Sequence, residues 1–204
     1  MIRSILAATL ALPAAFAAAQ DAPHERQARE VYTRVVAMRT AAGHAQTAPM
    51  VAYLAGVLKD GGVPAGDIET LEAGGETAML VRLPGSRGGT RPILFSAHMD
   101  VVDARPEEWA RDPFTLVEEN GNFYGRGTMD NKAGVVAMVA TILRFKAERL
   151  APARTLVFAF VGDEETQMLT TRAIAAHAWV KNAEFAINTD AGGGLLDEAS
   201  GKPL

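Results

Sequence analysis

Apolar residues recur at helical spacing at Ala28, Val31, Tyr32, Val35 and Val36, and again at Met50, Val51, Leu54, Val57 and Leu58, so two amphipathic helices are expected near the start of the chain. Gly61-Gly62 ends the second. Residues 77–83 and 92–97 are short apolar runs bounded by Gly, Pro and Ser, the pattern of strands. Residues 114–117 and 122–124 flank Asn120-Gly121, a turn pair that predicts a hairpin. The apolar stretch at residues 135–145 is too long for most strands and reads as a largely buried helix. A strand at 155–161, a helix at 166–180 and a strand at 184–188 complete the pattern. Strands alternating with helices predict an α/β sheet with helices on its faces, and in such sheets the chemistry collects just beyond the carboxyl ends of the strands.

The first 19 residues stand apart from that pattern. Arg3 is followed by an apolar stretch from Ile5 to Phe16 and by the small-residue site Ala17-Ala18-Ala19, so residues 1–19 are expected to be a secretory signal peptide. The uncharged run at 5–19 spans 15 residues and is interrupted by Pro13, whereas a membrane span needs ~20. Export is therefore expected, with a periplasmic or secreted location and no membrane association once the signal is removed. Losing Arg3 takes the formal charge from −4 to −5. At 204 residues, 49% hydrophobic and 22% charged, the chain has the composition of an ordinary globular protein of one domain or a little more. It is mildly acidic and has no Lys/Arg-rich run, which argues against nucleic-acid and anionic membrane partners. With no cysteine, any metal must be held by nitrogen and oxygen.

The polar motifs fall at the predicted strand ends. Ser96-Ala97-His98-Met99-Asp100 closes one strand, Gly162-Asp163-Glu164-Glu165 a second and Asn188-Thr189-Asp190 a third, while the polar run 125–132 opens the long helix. One imidazole, His98, and the carboxylates of Asp130, Glu164, Glu165 and Asp190 should thus meet at one rim of the sheet. Several carboxylates stay ionised together only with cations among them, and a His with carboxylates and no sulfur suits Zn²⁺, with Co²⁺ or Mn²⁺ as alternatives. A carboxylate bridging two ions is the layout of two-metal hydrolysis. In extended backbone His98 and Asp100 point to the same side, so Asp100 is expected to hold the far ring nitrogen of His98. Glu164 and Glu165 are adjacent and should diverge, one toward a metal and the other toward substrate as a general base. His24, His44 and His177 lie away from the strand ends and are not read as ligands. Gly125-x-Gly127 lacks the third glycine of a dinucleotide fingerprint, and no Gly-x-Ser-x-Gly, His-Glu-x-x-His or Walker loop occurs.

Taken together, residues 96–102, Trp109 with Asp112-Pro113-Phe114, residues 124–132, residues 162–165 and Thr189-Asp190 closely resemble one family. It is the dinuclear zinc exopeptidase and amidohydrolase family of carboxypeptidase G, the aminoacylases, acetylornithine deacetylase and succinyl-diaminopimelate desuccinylase. The resemblance runs from about residue 25 to the end and implies a three-layer catalytic domain with a mixed, mostly parallel sheet. It implies that His98 and Asp190 bind one zinc and Glu165 the other, that Asp130 bridges them, that Asp100 orients His98, that Glu164 is the general base, and that the Asp130-Asn131 peptide is cis. Many relatives carry glutamate at the position of Asp190. The family's late histidine ligand and its lid and dimerisation domain have no counterpart in these 204 residues. Residues 20–204 are accordingly expected to be the N-terminal portion of a longer catalytic domain, and Ser200 to Leu204 looks like a cut through it.

The expected function is a two-zinc metallopeptidase or amidohydrolase that cleaves an amide bond in a small peptide or N-acyl amino acid through a metal-bridged hydroxide, active in a full-length form that is possible as a homodimer. The alternative is a catalytically silent metal-binding or interaction domain. Substrate identity is not legible in the sequence.

Overall fold

The structure is a computed structural model and describes residues 22–190. The expected signal peptide at 1–19 and the segment 200–204 lie outside the described residues. Among the described residues no helix is long and apolar enough to cross a membrane.

Two helices, α1 (Pro23–Val36) and α2 (Thr47–Asp60), precede the strands β1 (Ile68–Ala73), β2 (Glu76–Leu83) and β3 (Ile93–His98). A small hairpin of β4 (Val117–Glu119) and β5 (Asn122–Tyr124) follows, then α3 (Lys132–Ala147), β6 (Leu156–Val161), α4 (Leu169–Ala176) and β7 (Phe185–Asn188). The main sheet has the order β1-β2-β6-β3-β7. Strands β6, β3 and β7 run parallel, while β2 pairs antiparallel with β6 and β1 antiparallel with β2. The fold is the expected α/β class with a mixed sheet.

Strand β6, at the middle of the sheet, explains the layering. Its residues Leu156-Val157-Phe158-Ala159-Phe160-Val161 are apolar without alternation, as a strand covered on both faces must be. Phe158 and Phe160 enter the core formed with α1, α2 and α3, alongside Val35, Leu54, Met79 and Ile142, and Phe158 stacks on Phe95. Val157, Ala159 and Val161 face the other way, into a thinner core with Leu80, Ile174 and Val180 under α4. Large side chains thus fill the three-helix face and small ones the α4 face. Because β3, β6 and β7 are parallel, their carboxyl ends share one rim, and the turns that follow them lie together.

The differences from the sequence pattern have local causes. β1 was not expected, because Glu69 and Glu72 break its apolar run; it is an edge strand with half of its side chains in water. α1 begins at Pro23, ahead of the apolar period: the proline takes a first-turn position and the Glu25 carboxylate accepts from the Ala22 amide at 3.0 Å. The hairpin begins at Val117 because Asp112 folds the preceding residues into a turn, accepting from the Phe114 amide and the Thr115 hydroxyl. α4 is confined to 169–176 because the residues after β6 form a turn around Asp163.

Candidate metal centre

His98 is the last residue of β3 and is almost wholly enclosed. The pairing with β6 continues one step past it, where the Met99 amide donates to Val161 O at 2.8 Å, and the chain then leaves the sheet. Asp100 is therefore outside the strand, and the ring faces both its backbone carbonyl and its carboxylate. His98 Nδ1 lies 3.0 Å from the backbone carbonyl oxygen of Asp100 and 3.5 Å from its Oδ1. The two carboxylate oxygens also accept the backbone amides of Glu164 and Glu165, at 3.1 and 2.9 Å. Asp100 thus fixes the histidine with its main chain and the turn after β6 with its side chain.

On the other side of the ring, His98 Nε2 lies 2.7 Å from Asp130 Oδ1 and 3.8 Å from Asp190 Oδ1. Burial pulls the pKa of this ring down, but the neighbouring Asp100 and the contact with Asp130 outweigh it and raise it to about 9. Two sets of side chains can each offer ligand atoms within 4.8 Å of one another: His98, Asp130 and Asp190, and His98, Glu164 and Glu165. His98 is common to both sets. The donors are imidazole nitrogen and carboxylate oxygen only, the chemistry that suits Zn²⁺ and its first-row neighbours. A small cavity of about 190 Å³ beside them is lined by Ser96, His98, Glu164, Met168, Thr171 and Asp190, among others. Burial raises the Glu164 carboxyl pKa; the His98 ring opposes this, while Asp190, Glu165 and Asp100 reinforce it.

Asp130 is delivered by the loop before α3. Gly127 in that loop has φ +85°, and a Cβ there would come within 2.8 Å of Lys132 Cδ and 3.0 Å of Val101, so a side chain is excluded both by conformation and by space. The Asp130-Asn131 peptide bond is cis, as the resemblance implies. Lys132, 0% exposed, donates from Nζ to Met38 O at 2.6 Å. Its burial lowers its pKa to about 7, with the charge of Asp100 opposing the shift. Tyr32 donates from its hydroxyl to Thr128 O, which ties the same loop to α1.

Asp163 has a role that its motif does not disclose. It is buried, and its carboxylate accepts from the Leu169 amide at 2.6 Å, the Thr170 amide at 3.0 Å and the Thr170 hydroxyl. It therefore holds the start of α4 and closes the turn that presents Glu164 and Glu165. The sequence signal was an acidic residue followed by threonines before a short helix, a pattern too common to stand out alone. His44 lies 3.6 Å from Asp103 and His177 2.9 Å from Glu69, both on the periphery.

The fold and these motifs have counterparts. The chain superposes on human carnosine dipeptidase 1 with a TM-score of 0.70 at 21% identity, over 82% of this chain and 39% of that one. An M20 family metallo-carboxypeptidase from Sulfolobus solfataricus gives 0.70 at 21% identity, over 87% and 39%. At the sequence level the chain is 32% identical over 123 residues to the human N-fatty-acyl-amino acid synthase/hydrolase PM20D1, covering 60% of this chain and 24% of that protein. It is 43% identical over 83 residues to a probable succinyl-diaminopimelate desuccinylase of Staphylococcus aureus, covering 39% and 21%. The chain thus spans about a quarter of the length of these relatives. The sequence pattern of peptidase family M20/M25/M40 matches residues 94–200, from within β3 to beyond Asp190. That stretch is more than half of the chain and carries every residue of the candidate centre, and the protein belongs to this peptidase family.

Proposed function

We propose that the protein hydrolyses an amide bond in a small peptide or an N-acyl amino acid, using two divalent ions, Zn²⁺ foremost, and that it acts outside the cytoplasm, in the periplasm or after secretion. The observation that carries this reading is the convergence of one enclosed histidine at a strand end with four carboxylates from two further strand ends and one helix start, in two sets that share His98 and place their ligand atoms within 4.8 Å. The relatives point the same way, since their names describe a desuccinylase, a hydrolase of N-fatty-acyl amino acids and a dipeptidase.

In this reading His98 and Asp190 would hold one ion and Glu165 the other, with Asp130 shared between them. Divalent ions held by these residues would supply Lewis-acid chemistry, polarising the scissile carbonyl and making a water molecule a better nucleophile. Everything else falls to the chain itself. Nδ1–H of His98 donates to the Asp100 carbonyl, which fixes the tautomer and turns Nε2 toward Asp130 and Asp190. Glu164 is held at the cavity by its own backbone amide, and its burial keeps its carboxylate basic enough to take a proton from the attacking water and return it to the leaving nitrogen.

Metal analysis of the purified protein together with a rate for Glu164→Gln tests this. Two tightly bound ions and a fall in turnover of ~10² to 10⁴ are expected, the usual effect of losing a general base. Fewer than two ions, or turnover unchanged by Glu164→Gln, rejects the hydrolase in favour of a silent metal-binding domain.

A further inference from the structure

Asp130 and Asp190 belong to different elements, the start of α3 and the end of β7, and something must set the distance between them. Thr189 sits between the two. Its backbone amide donates to Ser96 O at 3.0 Å, one step beyond the β3–β7 register in which Ser96 faces Asn188. Its hydroxyl oxygen lies 3.1 Å from the same Ser96 carbonyl and 3.2 Å from Asn131 Oδ1. Asn131 is 0% exposed, and among the described residues its Nδ2 has no hydrogen-bond partner.

These contacts cannot all be made at once, because a hydroxyl has one proton and two acceptors compete for it. Exchanging the two ends of the Asn131 amide, which are nearly the same size, resolves both problems. The amide nitrogen then donates to Thr189 Oγ1, and the threonine proton goes to Ser96 O. The amide oxygen and the second amide N–H are then left without a partner, whereas in the other orientation both N–H groups are. A second observation shows that the space for this contact is reserved. A Cβ on Gly134 of α3 would lie 2.1 Å from the Asn131 amide end and 2.1 Å from Thr189 Oγ1, so only glycine lets the two side chains meet over the helix backbone.

We infer that Thr189 is a positioning residue: the directed chain from the Asn131 amide through the Thr189 hydroxyl to the Ser96 carbonyl fixes the separation of the Asp130 and Asp190 carboxylates and thereby the affinity of the site for divalent ions. The inference rests on the reading of those carboxylates as metal ligands. Thr189 itself touches no metal or substrate. It acts by joining the residue after the one carboxylate to the residue before the other.

The test is a titration of the metal-stripped full protein with Co²⁺, followed by its visible absorption and by calorimetry, alongside the thermal midpoint of the stripped protein. Thr189→Val removes the hydroxyl at constant shape and should weaken Co²⁺ binding ~10- to 100-fold, the usual range for groups that orient ligands. Thr189→Ser keeps the hydroxyl and should bind within ~3-fold of the parent. If Thr189→Val does not fold, Thr189→Ala removes the same hydroxyl while leaving more room beside Gly134. Hydroxyl-free variants that bind Co²⁺ like the parent overturn the inference, as does a serine variant as weak as valine at the same thermal midpoint. A parent protein that binds no Co²⁺, or an Asp130→Asn variant that binds it equally well, overturns the metal reading and the inference together.

Discussion

Four aspartates lie within or beside the candidate centre and divide into two pairs. Asp100 and Asp163 are enclosed, and each accepts two backbone amides: those of Glu164 and Glu165 for the first, those of Leu169 and Thr170 for the second. Asp130 and Asp190 reach toward His98 with side chains 49% and 21% exposed. The same functional group therefore has two kinds of work. A carboxylate satisfied by main-chain donors is already spent as a ligand and serves as a fastener, whereas one facing an imidazole and other carboxylates is available to a cation.

If this division is right, removing a fastener unfolds and removing a ligand does not. After the turnover loss set out above for Glu164→Gln, the next largest effect is expected for Asp163→Ala, which strands the Leu169 and Thr170 amides. Losing charge-assisted bonds to buried donors should cost about 3 kcal/mol in urea unfolding of the stripped protein. Asp100→Asn keeps an acceptor for one glutamate amide but not for both. It should weaken metal binding ~10- to 100-fold by calorimetry, because the loosened turn carries Glu164 and Glu165. Asp130→Asn belongs to the opposite class, with a change in urea stability within ~0.5 kcal/mol despite a loss of bound metal. Equal destabilisation by Asp130→Asn and Asp163→Ala would erase the distinction. The smallest effect is expected at Tyr32, a neutral fastener of the Asp130 loop. Burial raises its pKa to about 12, with the Thr128 side chain opposing the shift. Its contribution is complete below pH ~10 and is lost as the pH rises through ~12. Thermal midpoints compared at pH 9 and 11.5 should fall further in the parent than in Tyr32→Phe.

What the sequence disclosed follows the same division. His98, Glu164, Glu165 and Asp190 could be placed at one rim because each follows a strand whose apolar run is unmistakable, and parallel strands bring their ends together. β1 was hidden by Glu69 and Glu72, whose exposure at the sheet edge costs nothing but breaks the hydrophobic pattern. For Asp100 the expected contact with His98 comes from two groups, because the chain turns after the last strand residue: the carbonyl lies 3.0 Å from Nδ1 and the carboxylate 3.5 Å. The tasks of Asp163, Thr189 and Asn131 depend on partners brought close only by the fold, and local spacing holds no trace of them. Lys132 is a special case. As the first residue of α3 it carries a charge, yet it is enclosed and spans to Met38.

The double grip of Asp100 has a mechanical consequence. Its carbonyl holds the histidine that ends β3 and its carboxylate holds the turn that ends β6, so the imidazole and the two glutamates are coupled through a single residue. A pull on any of these three groups is transmitted to the others. Loss of the Asp100 side chain would therefore disturb the end of β3 and the turn after β6 together.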